Sequence, residues 1–171
     1  MNTVATVVLV SLTAVAFSAL SEEDAFFEKL AQAGMAEVAA GKIAENKGVS
    51  AEVREFGAMM ARDHAAANQK LQKLAITKGV TLPATAGEEN LAAMKALQAM
   101  EGARFDPAYV ASQVKAHEEA VQLLKMEITA SQDADTKAFA EQLLPTVESH
   151  LREAYHLAGQ DKITAAMPTN K

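Results

Sequence analysis

Residues 48–79 read GVSAEVREFGAMMARDHAAANQKLQKLAITKG, a run bracketed by two glycines. Inside it Val53, Phe56, Met60, Ala67, Leu71 and Leu74 recur at helical spacing. Ser50 stands where an N-cap belongs, and Lys78 precedes the closing Gly79. The run therefore reads as one long amphipathic helix. Upstream, Phe26, Leu30, Ala33, Glu37, Ala40 and Ala44 repeat at steps of four and three, opened by a capping-box pattern at Ser21 and Asp24 and closed by Gly48. Only Val49 and Ser50 separate the two helices, which forces an antiparallel pair.

Downstream the pattern breaks and then resumes. Gly79 to Gly87 holds Pro83 and small residues, and Glu88 to Met100 is a modest helical run closed by Gly102. Asp106-Pro107 reads as an Asp N-cap with proline at the first helical position, where no N–H is missed. The third long helix carries Val110, Val114, His117, Val121, Leu124 and Ile128; the chain turns at Ser131 to Asp133; the fourth carries Phe139, Leu143, Val147, His150, Ala154 and Leu157. No stretch alternates with a period of two. The expected fold is all-α: a ferritin-like four-helix bundle with a short extra helix in the connection between helices two and three, that connection leaving those two helices parallel. A plain up-down-up-down bundle is the alternative.

With 171 residues the chain has room for one domain, expected over 22–158, followed by a polar tail over 159–171. Half the residues are hydrophobic, yet there is no Trp and only 2 Tyr and 6 Phe, so alanine-rich helix packing is favoured over a sheet sandwich. A net charge of −6, with both signs mixed along the chain, makes nucleic acid an unsuitable partner. Met1 to Ser21 carries no charged side chain and reads as an export signal, with small residues placed for cleavage at Ala14/Ala16 or Ala19/Ser21. The n-region lacks Lys and Arg, and an uncleaved anchor is the competing reading. The expected location is periplasmic, with membrane contact only through this segment. The absence of cysteine excludes disulfides and a lipidated cysteine.

Chemistry is concentrated in four polar residues on four apolar stripes: Glu37, His64, His117 and His150. At about 100° per residue, Glu37, His117 and His150 point inward, while His64 and Asp63 straddle the centre of their stripe. Counted from the intervening turns, the paired levels differ by about 5–6 Å at 1.5 Å per residue, a gap that long side chains close. His156 projects away from its stripe. Three imidazoles and a carboxylate suit a mononuclear divalent transition metal such as Zn, Cu or Fe, with Asp63 as a fifth ligand or as an acceptor behind an imidazole. A di-iron carboxylate centre needs inward Glu-x-x-His pairs, which are missing; Glu118 and Glu119 point outward. Met35, Met59 and Met60 near the same level raise Cu(I), although methionine in helical cores is mainly filler. The competing reading is a metal-free hydrogen-bonded network in which Glu37 pairs with a protonated imidazole.

The ordered set Glu37-Val38, Val53-Arg54-Glu55-Phe56 running into Asp63-His64, Phe105-Asp106 before Tyr109, His117, and Pro145 followed by His150 resembles the domain of unknown function 4142 family of secreted bacterial proteins. The resemblance covers about residues 25–158. It implies a ferritin-like bundle, export, and a characteristic polar set of Glu37, Asp63, His64, His117 and His150. It brings no substrate. The expected function is storage, buffering or sensing of a divalent metal in the envelope. The alternative is a non-enzymatic envelope or stress protein with a polar core that fixes register. No nucleophile motif, phosphate loop or cysteine chemistry is visible, so an enzyme, such as a metal-dependent hydrolase or oxidase, is the less favoured class.

Overall fold

Gly48, just past the end of the first helix, donates its N–H to the Ala44 carbonyl at 2.8 Å, the last bond of the helical pattern. The computed structural model describes residues 22–159, in the order α1 (Glu22–Lys47), α2 (Ala51–Lys78), α3 (Glu88–Ala99), a short 3₁₀ turn (Gly102–Arg104), α4 (Phe105–Ala130) and α5 (Ala134–Leu157). The expected export signal, the Ser21 cap and nearly all of the polar tail lie outside the described residues. Described residues form no strand, and none of their helices is long and apolar enough to cross a membrane.

Local chemistry explains most boundaries. Ser50 caps α2 by accepting from Val53 N at 3.3 Å, and Gly79 closes it at φ 70°, a left-handed conformation that favours glycine. Asp133 caps α5 by accepting from Thr136 N at 2.8 Å. One expectation fails: Asp106 does not cap α4, which begins one residue earlier at Phe105. Its carboxylate instead accepts the backbone N–H groups of Val49 and Ser50, both at 2.8 Å, and so serves the start of α2. Cross-chain demand for those orphan donors outweighed the local cap.

The helices α1 and α2 approach through two glycines. A Cβ built on Gly41 would lie 2.6 Å from the Gly57 carbonyl oxygen, and one on Gly57 would lie 2.7 Å from the Gly41 oxygen. Contacts at the two ends fix the direction of everything else. Asp106 joins the start of α4 to the α1–α2 turn, and Lys47 bonds the Gln98 carbonyl and Glu101 there. At the far end Lys78 pairs with Asp133 and Asp135, and Thr136 donates to Glu23 at 2.8 Å. Thus α2 and α4 run in the same direction, antiparallel to α1 and α5. Around the bundle α1 lies beside α2 and α4, while α5 lies beside α4 and α2. The connecting helix α3 lies along α1 and buries only Leu97.

The core has two apolar clusters. Ala40, Ala44, Val53, Phe56, Met60, Phe105, Tyr109, Val110 and Ala154 fill the end near the α1–α2 turn. Phe26, Phe27, Leu30, Leu71, Ala75, Leu124, Ala140 and Val147 fill the other. On every long helix the chain number of the polar residue falls between its two clusters: Glu37 on α1, His64 on α2, Gln113 and His117 on α4, His150 on α5. A polar layer is therefore sandwiched between two greasy ones. The buried face of α4 also differs from expectation. Tyr109 and Gln113 are fully buried beside His117, whereas Val114 and Val121 are only partly so.

Candidate metal centre

Each histidine reaches the layer from a different helix. Among the described residues, His64, His117 and His150 form a group in which one ligand atom from each lies within 4.8 Å of the others. Their ring centroids are 5.4–5.5 Å apart. The Nε2 atoms of His64 and His117 stand 3.4 Å apart. A tetrahedral ion with nitrogen bonds of about 2.0–2.1 Å needs a nitrogen–nitrogen separation of about 3.3 Å, so this pair already has the right span.

The partners of the other ring atoms show which nitrogens are available. His117 Nδ1 lies 3.0 Å from the Gln113 carbonyl oxygen. A carbonyl only accepts, so Nδ1 carries the hydrogen and Nε2 keeps its lone pair for the centre. His150 Nε2 lies 3.2 Å from Asp63 Oδ2. That carboxylate accepts likewise, leaving Nδ1 of His150, which is buried with no hydrogen-bond partner. Both imidazoles are thus held from behind by an oxygen acceptor, the arrangement that orients metal-binding histidines. Asp63 is only partly buried and also accepts from Arg62 Nε at 2.9 Å. Partial burial works to raise its pKa, but the bonds from Arg62 and His150 hold it below the ordinary carboxylate value.

Electrostatics keeps the imidazoles neutral. Burial, then repulsion from His117 and His150, draws His64 down to about 3 against the pull of Asp63. Burial, reinforced by His150, draws His117 down to about 4. Burial also lowers His150, opposed by Asp63. Each imidazole therefore keeps one lone pair at neutral pH, which a metal requires.

The remaining sequence-predicted residue, Glu37, is not among the converging atoms. It is buried, and it lines a cavity of about 40 Å³ together with His64 and His117. Burial pushes its carboxyl up to about 7, against a hydrogen bond from Gln113. Its Oε2 has no partner, nor has Gln113 Oε1 or the Tyr109 hydroxyl. Sequence reasoning missed Tyr109 and Gln113, although their four-residue steps toward His117 were there to be read. Met59 and Met60 pack into the apolar cluster near the α1–α2 turn. His156, Glu118 and Glu119 are exposed, and the buried Tyr155 donates to Glu118.

Against known proteins, the family described as "Domain of unknown function (DUF4142)" matches residues 11–157, and the chain belongs to that family. Its fold is similar to the crystal structure of a DUF305 fragment from Deinococcus radiodurans, with a TM-score of 0.70 at 12% identity over 81% of this chain and 95% of that one. No curated protein matches the chain.

Proposed function

We propose that this member of the domain of unknown function 4142 family binds one divalent transition-metal ion through His64, His117 and His150. Asp63 orients His150, and Glu37 faces the same interior space from α1. The ion supplies a positive centre for the three lone pairs and keeps at least one coordination position beyond them. The single observation that carries this reading is the unpartnered, buried Nδ1 of His150, set opposite a carboxylate-held Nε2 and grouped with two further neutral imidazoles. An unpaired buried acceptor is costly, and a metal removes that cost.

The rest of the proposal extends from the sequence. The bundle is ferritin-like, with α1, α2, α4 and α5 as its four helices and α3 in the crossover, which agrees with the shared direction of α2 and α4. Residues 1–21 are an export signal, 22–158 the bundle and 159–171 a tail, and the protein works in the periplasm. Zinc, copper and iron all suit a three-nitrogen set. Storage, buffering or sensing of the ion is the role, in preference to catalysis.

The competing reading is a metal-free polar core in a structural envelope protein. The 3.4 Å His64–His117 contact and the Gln113 bond to Glu37 favour it. Against it stands the buried His150 Nδ1, which such a network leaves unpaired and an ion would take, since a part-satisfied network is less stable than an apolar core. Elemental analysis of untagged protein from its native compartment decides between them. About one transition-metal ion per chain supports the proposal, and metal-free protein that takes up none on reconstitution refutes it.

A further inference from the structure

On the outside of the seam between α2 and α5 lies a groove of about 310 Å³ that carries Asp63, Lys70 and Gln142. Behind it, inside the bundle, is the cavity of about 40 Å³ beside His64 and His117. The two have Ala67, Phe139 and Leu143 in common, so these three side chains form the wall between them. Phe139 and Leu143 are only partly buried, although both are apolar. Pro145 follows them on α5 and has no N–H for the Glu141 carbonyl, so the helix lacks a bond in the turn that carries Leu143. The polar layer meets water on the α2 side. There the Asp63 side chain is 29% exposed against 4% for His150, and His64 is the one histidine of the three that is not fully buried.

We infer, resting on the metal centre proposed above, that ions reach and leave the histidines through this wall, with Asp63 as the carboxylate that receives them from solvent. A dication that sheds water needs an anionic oxygen, and Asp63 lines the groove while its Oδ2 lies 3.2 Å from His150 Nε2. Its other tie is to Arg62, a side chain 70% exposed that swings away at little cost. The wall then has to part, and the turn short of a helical bond is where α5 yields most easily. The opposite seam offers no such receiver. The groove between α1, α3 and α4 shares Glu37 and Ala116 with the inner cavity, yet Glu37 Oε2 and Gln113 Oε1 are shut off from water.

The test is stopped-flow uptake of Co²⁺ by the EDTA-treated full chain, read from the visible absorption of the bound ion, and its release to excess EDTA. Since the chain has no cysteine, Gln142→Cys and Ala93→Cys each give one exposed thiol, the first in the α2–α5 groove and the second in the opposite one. Both positions are exposed, so neither substitution endangers folding. A benzylthio group on the Gln142→Cys thiol should slow uptake and release about tenfold, and a reductant should restore both. The same group on Ala93→Cys should change neither. Lys70 in the groove opposes the ion, so Lys70→Glu should speed uptake, most at low salt. Phe139→Ala should speed uptake and release equally and leave affinity unchanged, because a lowered barrier between the same end states favours both directions. A side chain that only supports the centre would change affinity instead. Three results would overturn the inference: unaltered rates with the group on Gln142→Cys, slowing by the group on Ala93→Cys, or a Phe139→Ala chain that loses affinity while its uptake rate stays the same. A chain with no cobalt absorption at equilibrium refutes the proposed function and this passage with it; a centre that fills at one rate in every variant refutes the passage alone.

Discussion

His150 on α5 and Asp63 on α2 meet at 3.2 Å between Nε2 and Oδ2, and this contact leaves the other imidazole nitrogen facing the bundle interior. A carboxylate behind an imidazole fixes its tautomer and raises its basicity. Asp63→Ala should therefore lower zinc or copper affinity about 10–100-fold in a chelator-competition titration, the range seen for such outer partners. His150→Ala should cost more. Unchanged affinity in Asp63→Ala would show that the contact is only a surface ion pair.

The lowered histidines predict acid sensitivity of the metal-free protein. In the unfolded chain these imidazoles protonate near the ordinary 6.5, whereas His64 and His117 resist until about 3 and 4. Below 6.5 the unfolded state holds more protons, so stability is full above that pH and is lost as pH falls toward about 4. Each such histidine contributes a slope of up to about 1.4 kcal/mol per pH unit. Urea melts at steps from pH 7.5 to 4.5 measure it, and a His64→Gln variant should flatten the curve.

Glu37 acts with the opposite sign. Its folded value of about 7 lies above the ordinary 4.5, so the native state keeps a proton that the unfolded chain has released. That contribution is present below 4.5 and is lost as pH rises to about 7. At least two histidines oppose one glutamate between 4.5 and 6.5, so the wild-type curve should still climb with pH. Glu37→Gln should make it climb more steeply and raise stability at pH 8 relative to pH 5. An unchanged profile would mean that Glu37 is not the buried acid described above.

The glycine crossing gives a prediction independent of the centre. Gly41→Ala and Gly57→Ala each place a methyl group against backbone at 2.6–2.7 Å, and the helices must part. Each should cost about 1–3 kcal/mol in a urea melt. They disturb the same contact, so the double variant should cost less than the sum.

Much of this layout was legible in the sequence, and the failures have physical causes. Gly48, Ser50, Gly79 and Asp133 act locally, through their own caps and turns, and they mark helix ends where expected. Asp106 was misread because its carboxylate serves a turn 56 residues away in the chain, which no local pattern reveals. Periodicity placed the histidines on inward faces. It did not tell that Asp63 stands behind His150 while His64 faces inward, since both straddle the stripe and only the packing of α5 separates them. On α4 the apolar stripe directed attention to Val114 and Val121. The helix turned instead toward Tyr109 and Gln113, polar residues whose burial depends on neighbours from α1.

The central claim is tested most directly by the thermal stability of EDTA-treated protein during titration with Zn, Cu, Co, Ni and Fe, beside His117→Ala. An ion that joins α2, α4 and α5 binds the native state far better than the unfolded chain, so stability should rise by about 2.7 kcal/mol at a hundredfold excess over Kd. The gain should disappear in His117→Ala, and it should hold through pH 6.5 and fade only as pH drops toward about 4, where the buried His117 takes up a proton that competes with the ion. A melting temperature that stays flat with all five metals, while His117→Ala still destabilises the fold, would contradict the metal centre and leave a structural polar core.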